Sequence, residues 1–140
     1  MAIRYEPLTL SSLAQAGSSE RTASTGEIAS AISNAVVKVY TEHHGRGPTR
    51  AKTYLFADVV LTVMEESTAP VEQTLVQAGA HELVRDIRTQ VQGAIADQLK
   101  RAVEEITARP VRALMSGSQL DPDIRCDVFL LQSDAGANKG

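Results

Sequence analysis

Between His81 and Ala108 the apolar residues Val84, Ile87, Val91, Ile95, Leu99, Val103 and Ile106 recur at steps of three and four. A register held for about seven turns excludes a strand, which alternates with period two, and demands an amphipathic helix lying along a core. Arg109 sits in its last turn and Pro110 stops it. A helix this long needs partners to bury its stripe, so the rest of the chain is read for what it can supply.

A second helix precedes it. Ser24-Thr25-Gly26-Glu27 reads as a capping box, in which Ser24 accepts from the Glu27 amide and Glu27 reaches back. Ile28, Ile32, Ala35, Val36 and Val39 then form one face, with Ser30, Ser33, Asn34 and Lys38 elsewhere. The helix ends near His43 or His44, and Gly45 suits the left-handed cap. Gly47 and Pro48 prevent any continuation.

Lys52 to Glu66 is rich in β-branched and aromatic residues. It reads either as one long strand or as a hairpin, Lys52 to Phe56 and Val59 to Met64 around Ala57-Asp58. The hairpin is preferred, because the run is long for one strand and a polar Asp suits a turn. Ala57 is a poor residue for a turn that needs positive φ. Ser67 or Thr68 can cap the next helix, with Pro70 in its first turn, Val71, Leu75 and Val76 as its apolar face, and Gly79 as its break. After the long helix come a strand from Val111 to Met115 and a turn-rich connection from Gly117 to Pro122. The last strand runs from Arg125 to Leu131, half buried at its start and more fully buried at its end. On one side of it lie Cys126, Val128 and Leu130. The order α-β-β-α-α-β-β predicts an α+β fold, an antiparallel sheet with helices packed on one face.

The 140 residues suffice for one domain. It is expected over residues 24–132, between a flexible N-terminal tail at 1–23 and a flexible C-terminal tail at 133–140. Ile3, Tyr5, Leu8 and Leu10 are the residues by which the first tail could instead dock as an extended arm. A net charge of −3 argues against generic nucleic-acid binding, which needs a cationic surface. The one cysteine, Cys126, fits a reducing compartment. No window approaches the ~18 apolar residues of a membrane span, and the N-terminus does not read as a secretory signal. The expectation is a cytoplasmic protein with no direct membrane insertion, so a membrane role would pass through a membrane-protein partner.

No catalytic constellation is visible, so no catalytic, metal or cofactor-binding residue is assigned and no cofactor is expected. The candidate contact for an anion or an acidic partner is the loop and strand start formed by Arg46, Gly47, Pro48, Arg50, Lys52 and Tyr54. Its glycines can expose backbone amides and its cations favour an anion. Against this, the loop follows a helix C-terminus, whose dipole repels anions, and it lacks the phosphate-loop pattern. His43 and His44 point about 100° apart on a helix, and only with His81 or Asp58 would they suggest zinc. Cys126 has no base at a telling spacing, which suits an inert thiol. The long apolar stripe exceeds what one small sheet covers, which predicts a homodimer.

At Gly45-x-Gly47-Pro48 and Lys52-x-Tyr54 the chain resembles the bacterial MpsC family, named as the C component of a Na+-translocating, membrane-potential-generating system. Val60 to Glu65, Pro70-x-Glu72, the helical register from Leu75 to Ile106, Asp121 and Val128-Phe129 extend the resemblance over about residues 25–131. The chain departs at Ala69, where the family commonly has Thr, and at Ala108-Arg109-Pro110, where a Gly often follows the helix. The resemblance implies a soluble accessory component associated with an ion- or bicarbonate-handling membrane system, and it assigns no catalytic or binding residue. The alternative expectation is a small-anion or nucleotide-binding regulatory module using the Gly45–Tyr54 loop. An enzyme is a third reading, against which the missing constellation weighs.

Overall fold

The computed structural model describes residues 24–45 and 47–133. The tail expected at 1–23, all but Ser133 of the tail expected at 133–140, and Arg46 lie outside the described residues. Helix α1 (Thr25–His44) leads to the hairpin of β1 (Arg50–Phe56) and β2 (Val59–Glu65), and a short α2 (Pro70–Gln77) precedes the long α3 (His81–Thr107). A second hairpin, β3 (Val111–Gln119) and β4 (Ile124–Leu131), completes the element order expected of the sequence. The four strands form one antiparallel sheet in the order β1-β2-β4-β3.

The local signals act as their chemistry requires. Ser24 Oγ accepts from the Glu27 amide at 2.9 Å while the Glu27 carboxylate accepts from the Ser24 amide at 2.8 Å. Gly45 closes α1 at φ 76°. The Lys52–Glu66 run is a hairpin, with Arg50 opposite Glu65 and Phe56 opposite Val59. Ala57 takes its turn at φ 48°, the strained conformation a residue with a Cβ resists. Arg109 secures this corner, its guanidinium 2.5 Å from Asp58 Oδ1.

The core lies between the sheet and α1 and α3. Ile32, Val36 and Val39 of α1 meet Ile95, Leu99 and Val103 of α3 over Val60, Met64, Phe129 and Leu131. Buried aliphatic area of this kind, at ~25 cal/mol per Å2, is the main source of the fold's stability. The opposite face of the sheet carries Tyr54, Leu61, Val63, Cys126, Val128 and Leu130, all half-buried, and no described helix covers it.

Several expectations change in detail. Neither Ser67 nor Thr68 caps α2: Ala69 is the N-cap, and Glu72 supplies only the return half of a capping box by accepting from the Ala69 amide. Val71 is 64% exposed and Glu72 is buried, so α2 is turned with a carboxylate inward. Ser33 is buried and hydrogen-bonded to Thr53 at 2.7 Å, which in turn meets Thr62 at 2.9 Å; the polar position is tolerated because a hydroxyl on the facing strand satisfies it. Strand β3 continues to Gln119, confining the connection to 120–123. In β4 burial alternates along the whole strand, with Arg125, Asp127, Phe129 and Leu131 facing inward.

Candidate functional site

Period-two alternation carries Arg125 and Asp127 to the helix side of the sheet, where both are essentially inaccessible. Groups of this kind stay buried only if partners replace water. For Asp127 they come from three elements. Its Oδ1 accepts from Ser116 of β3 at 2.5 Å, and its Oδ2 accepts from Tyr40 of α1 at 2.9 Å. Gln92 of α3 bridges the group, with Oε1 2.8 Å from the Tyr40 hydroxyl and Nε2 2.7 Å from Ser116 Oγ. Burial pushes the Asp127 carboxyl up, against the two hydroxyls and Arg125, which pull it back. Burial also raises the Tyr40 hydroxyl, with Asp127 adding to the effect.

Helix α3 brings a second buried cation. Arg88 occupies the stripe position one turn after Val84 and is 4% exposed. Its Nε donates to Glu72 Oε2 at 3.1 Å and its Nη2 to Oε1 at 3.3 Å, with Thr68 Oγ1 a further acceptor at 3.0 Å. Burial alone would raise the Glu72 carboxyl, but Arg88 and the Ala69 amide outweigh it and hold the group below the usual carboxylate range. Short α2 is thereby fixed to α3 by a fork of charge-assisted hydrogen bonds. Asp123 accepts from the Thr68 amide at 2.8 Å and ties the β3–β4 connection to the same corner.

Arg125 differs from Arg88 in having no such fork. Its guanidinium stacks on the Tyr40 ring at 4.8 Å, while Nε and Nη2 are buried without a hydrogen-bond partner among the described residues. Arg88 Nη1 is in the same condition. Both side chains line a cavity of about 430 Å3 between α3 and the β3–β4 hairpin, walled also by Arg85, Gln92, Leu114 and Ser116. The lining holds three arginines and no acid. Chemically it is a donor-rich recess with a partly apolar wall.

The residues expected to form a contact site lie elsewhere. Gly47 sits against α1, where a Cβ would fall 2.2 Å from Thr41 Oγ1, so it allows the loop to pass the helix closely. Thr49 donates its hydroxyl to Glu66 and its amide to the Glu65 carbonyl, which pins the loop to β2. Arg50 and Lys52 are exposed and alternate to the same side as Tyr54, onto whose ring Lys52 Nζ folds at 5.3 Å. Pro48 is half-buried beside them, and Arg46 is outside the described residues. His44 tilts against Tyr40 with ring centroids 5.7 Å apart, and His43 hydrogen-bonds to Gln98 at 2.7 Å. Among the described residues no three metal-ligating side chains cluster. Cys126 is half-exposed on the open sheet face.

Arg88 and Arg125 were legible only by phase. Arg88 falls four residues after Val84 and seven before Ile95, and Arg125 shares the period-two phase of Phe129 and Leu131. Reading them as inward requires setting aside the cost of burying a charge, which composition alone does not license.

Fold and cavity together define a small two-layer α+β domain, its sheet covered by helices on one side and a recess lying between α3 and the β3–β4 hairpin. Within that class the chain belongs to the MpsC family: the family's sequence model, described as "Na+-translocating membrane potential-generating system (MpsC)", matches residues 24–133. No match was found among curated proteins or among solved structures. Among the described residues no helix is long and apolar enough to cross a membrane.

Proposed function

We propose that this chain is a non-catalytic accessory component of a Na+-translocating, membrane-potential-generating system, acting from the cytoplasmic side through a membrane-protein partner. Family membership supports the association. The observation that carries the contact is the basic corner of the sheet. Arg50 and Lys52 stand exposed beside Tyr54 and run directly into the uncovered apolar face formed by Leu61, Val63, Val128 and Leu130. On a chain of net charge −3, a localised cationic edge beside apolar area suits an acidic, partly apolar segment of the partner. Pro48 restricts the loop and lowers the entropy lost on engagement.

The test is co-purification of the tagged chain with the integral-membrane subunits of the system, identified by mass spectrometry. Arg46→Glu, Arg50→Glu and Lys52→Glu together should abolish it while circular dichroism stays unchanged, since the exposed charges of Arg50 and Lys52 contribute little to folding. Undiminished co-purification of the folded triple variant would remove the corner from the interface. A homodimer is the assembly we favour. The stripe of α3 is consumed by the chain's own core, and we place a second copy on β3, one of the two edge strands, with Met115 to Gln119 exposed. Light scattering on purified protein should read about twice the 15.0 kDa chain mass, and a monomer at micromolar concentration would refute it.

A further inference from the structure

Three buried guanidinium nitrogens, on two side chains that line one recess, have no hydrogen-bond partner among the described residues, and this is the feature of the molecule that the accessory role does not use. Arg125 is 3% exposed and Arg88 4%, so the N–H groups have little access to bulk water. A buried N–H donor left unmatched is costly, and native proteins retain very few. Among the described residues three other buried side-chain atoms also lack partners, Asp123 Oδ1, Ser67 Oγ and His44 Nε2, but none of them is bonded to these nitrogens, and Asp123 Oδ1 is 4.0 Å from Arg88 Nη2, outside hydrogen-bond reach. The guanidinium donors therefore remain unmatched.

The geometry of these donors is specific. On a guanidinium, Nε and Nη2 present two parallel N–H groups along one edge, the fork that matches two oxygens of a carboxylate or phosphate. Arg88 uses that edge on Glu72, which shows the chain's own version of the contact. Arg125 leaves the same edge without an acceptor, its guanidinium carbon 4.8 Å from the centre of the Tyr40 ring. The hydroxyl of Ser116 and the mobile-stemmed Arg85 stand at the more exposed wall. Leu114 and Ala96 add apolar surface, and about 430 Å3 falls in the range of sites for small organic ligands, well beyond what a bare ion needs.

We propose that this cavity binds a small organic oxyanion, a metabolite whose carboxylate or phosphate head is held by Arg125 and Arg88 under Arg85. The ligand would complete a buried polar cluster that joins α1, α2, α3 and the β3–β4 hairpin, so its occupancy would tighten the whole helix layer onto the sheet. This site is on the helix side of the sheet, and the proposal stands independently of the partner contact at Arg50 and Lys52.

Thermal unfolding of the full chain, at low salt, tests it with two arms: inorganic phosphate and glycerol 3-phosphate, and acetate and succinate, each against sodium chloride of equal ionic strength. At least one arm should raise Tm progressively, by about 5–10 °C at tenfold above its binding midpoint, and which arm responds identifies the head group. Arg125→Lys keeps the charge but loses the fork, and should move that midpoint at least tenfold. Arg85→Ala alters only the exposed wall and should move it about threefold. Because a buried variant can fail to fold, the Arg Nε–H resonances of the wild-type chain give a second reading: two of them should shift along the same saturation curve. Absence of any shift beyond the chloride control in both arms would overturn the proposal, as would a midpoint unchanged in both variants.

Discussion

Replacing Arg88 by Met tests whether the buried fork, rather than apolar contact, fixes α2 in place. The substitution keeps an unbranched stem in the stripe and removes two hydrogen bonds to Glu72 and one to Thr68. What remains is a carboxylate only 2% exposed, with the Ala69 amide as its surviving partner. Breaking a buried ion pair from one side typically costs ~3–5 kcal/mol, because the second charge is left uncompensated. For a domain of this size, taking ~4 °C per kcal/mol, Tm should fall by about 12–20 °C.

A loss of that size would also follow from mere damage to packing, so the double variant decides. Glu72→Leu alone leaves Arg88 as the uncompensated charge and should cost a comparable amount. Combined with Arg88→Met it leaves no buried charge at either position, and most of the loss should be recovered. Thermal and urea unfolding of the wild type, both singles and the double gives the full cycle. A single-variant cost under about 1 kcal/mol, or a double variant equal to the sum of the singles, would refute the reasoning. The first result would mean that Leu75 and Val76, the half-buried side chains of α2, hold the helix by themselves, and the second that Arg88 and Glu72 act independently of each other.

Ile95→Asp should destabilise by about 3 kcal/mol or more, since it puts a charge at a fully buried core position, whereas Gln98→Asp, on the exposed side of α3, should cost under about 1 kcal/mol by urea unfolding. Ala57→Gly should raise stability by about 0.5 kcal/mol, because relief of the positive φ exceeds the added unfolded-chain entropy; a loss would mean that the turn is not strained. Burial, then Arg125, lowers the His44 pKa, with Arg88 and His43 adding to the effect and Glu72 opposing it. The unfolded chain then takes up this proton first as pH falls, so His44 contributes stability above about pH 6.5 that is lost as pH drops toward its folded value. His44→Gln should flatten the decline in Tm between about pH 7.5 and 5.5, and an unaltered slope would show that His44 does not titrate differently on folding.

The fold was legible because each element carries its own local mark. A capping box and Gly45 bound α1, Pro70 and Gly79 bracket α2, and the α3 stripe keeps one register from Val84 to Val103. Chain order and strand pairing follow from the two hairpins. The polar interior was not legible by the same rules, because those rules sort residues by hydropathy. Ser33, Glu72, Arg88, Arg125 and Asp127 are buried against their type, and each is buried next to a partner distant in sequence. Glu72 and Arg88 are sixteen positions apart, and Tyr40 and Asp127 eighty-seven. Pairings of that kind exist only once the topology brings the strands and helices together.

The two halves of the interior do different physical work. Toward the Phe56–Val59 end the layers are joined by aliphatic contacts among Ile32, Val36, Leu99, Val103 and Phe129, which tolerate small adjustments. Toward the Glu65–Ile124 end the joint is directional: Arg88 with Glu72, Asp127 with Tyr40 and Ser116, Asp123 with the Thr68 amide. A directional joint specifies one arrangement and fails as a unit when one member is removed. This polar end is also where the cavity opens and where the guanidinium donors are unmatched. The recess end is thus the one whose order depends on completing a set of hydrogen bonds. A ligand that supplied the missing acceptors would act on the least autonomous part of the fold, the docking of α2 and the β3–β4 hairpin onto α3, and leave the aliphatic half unchanged.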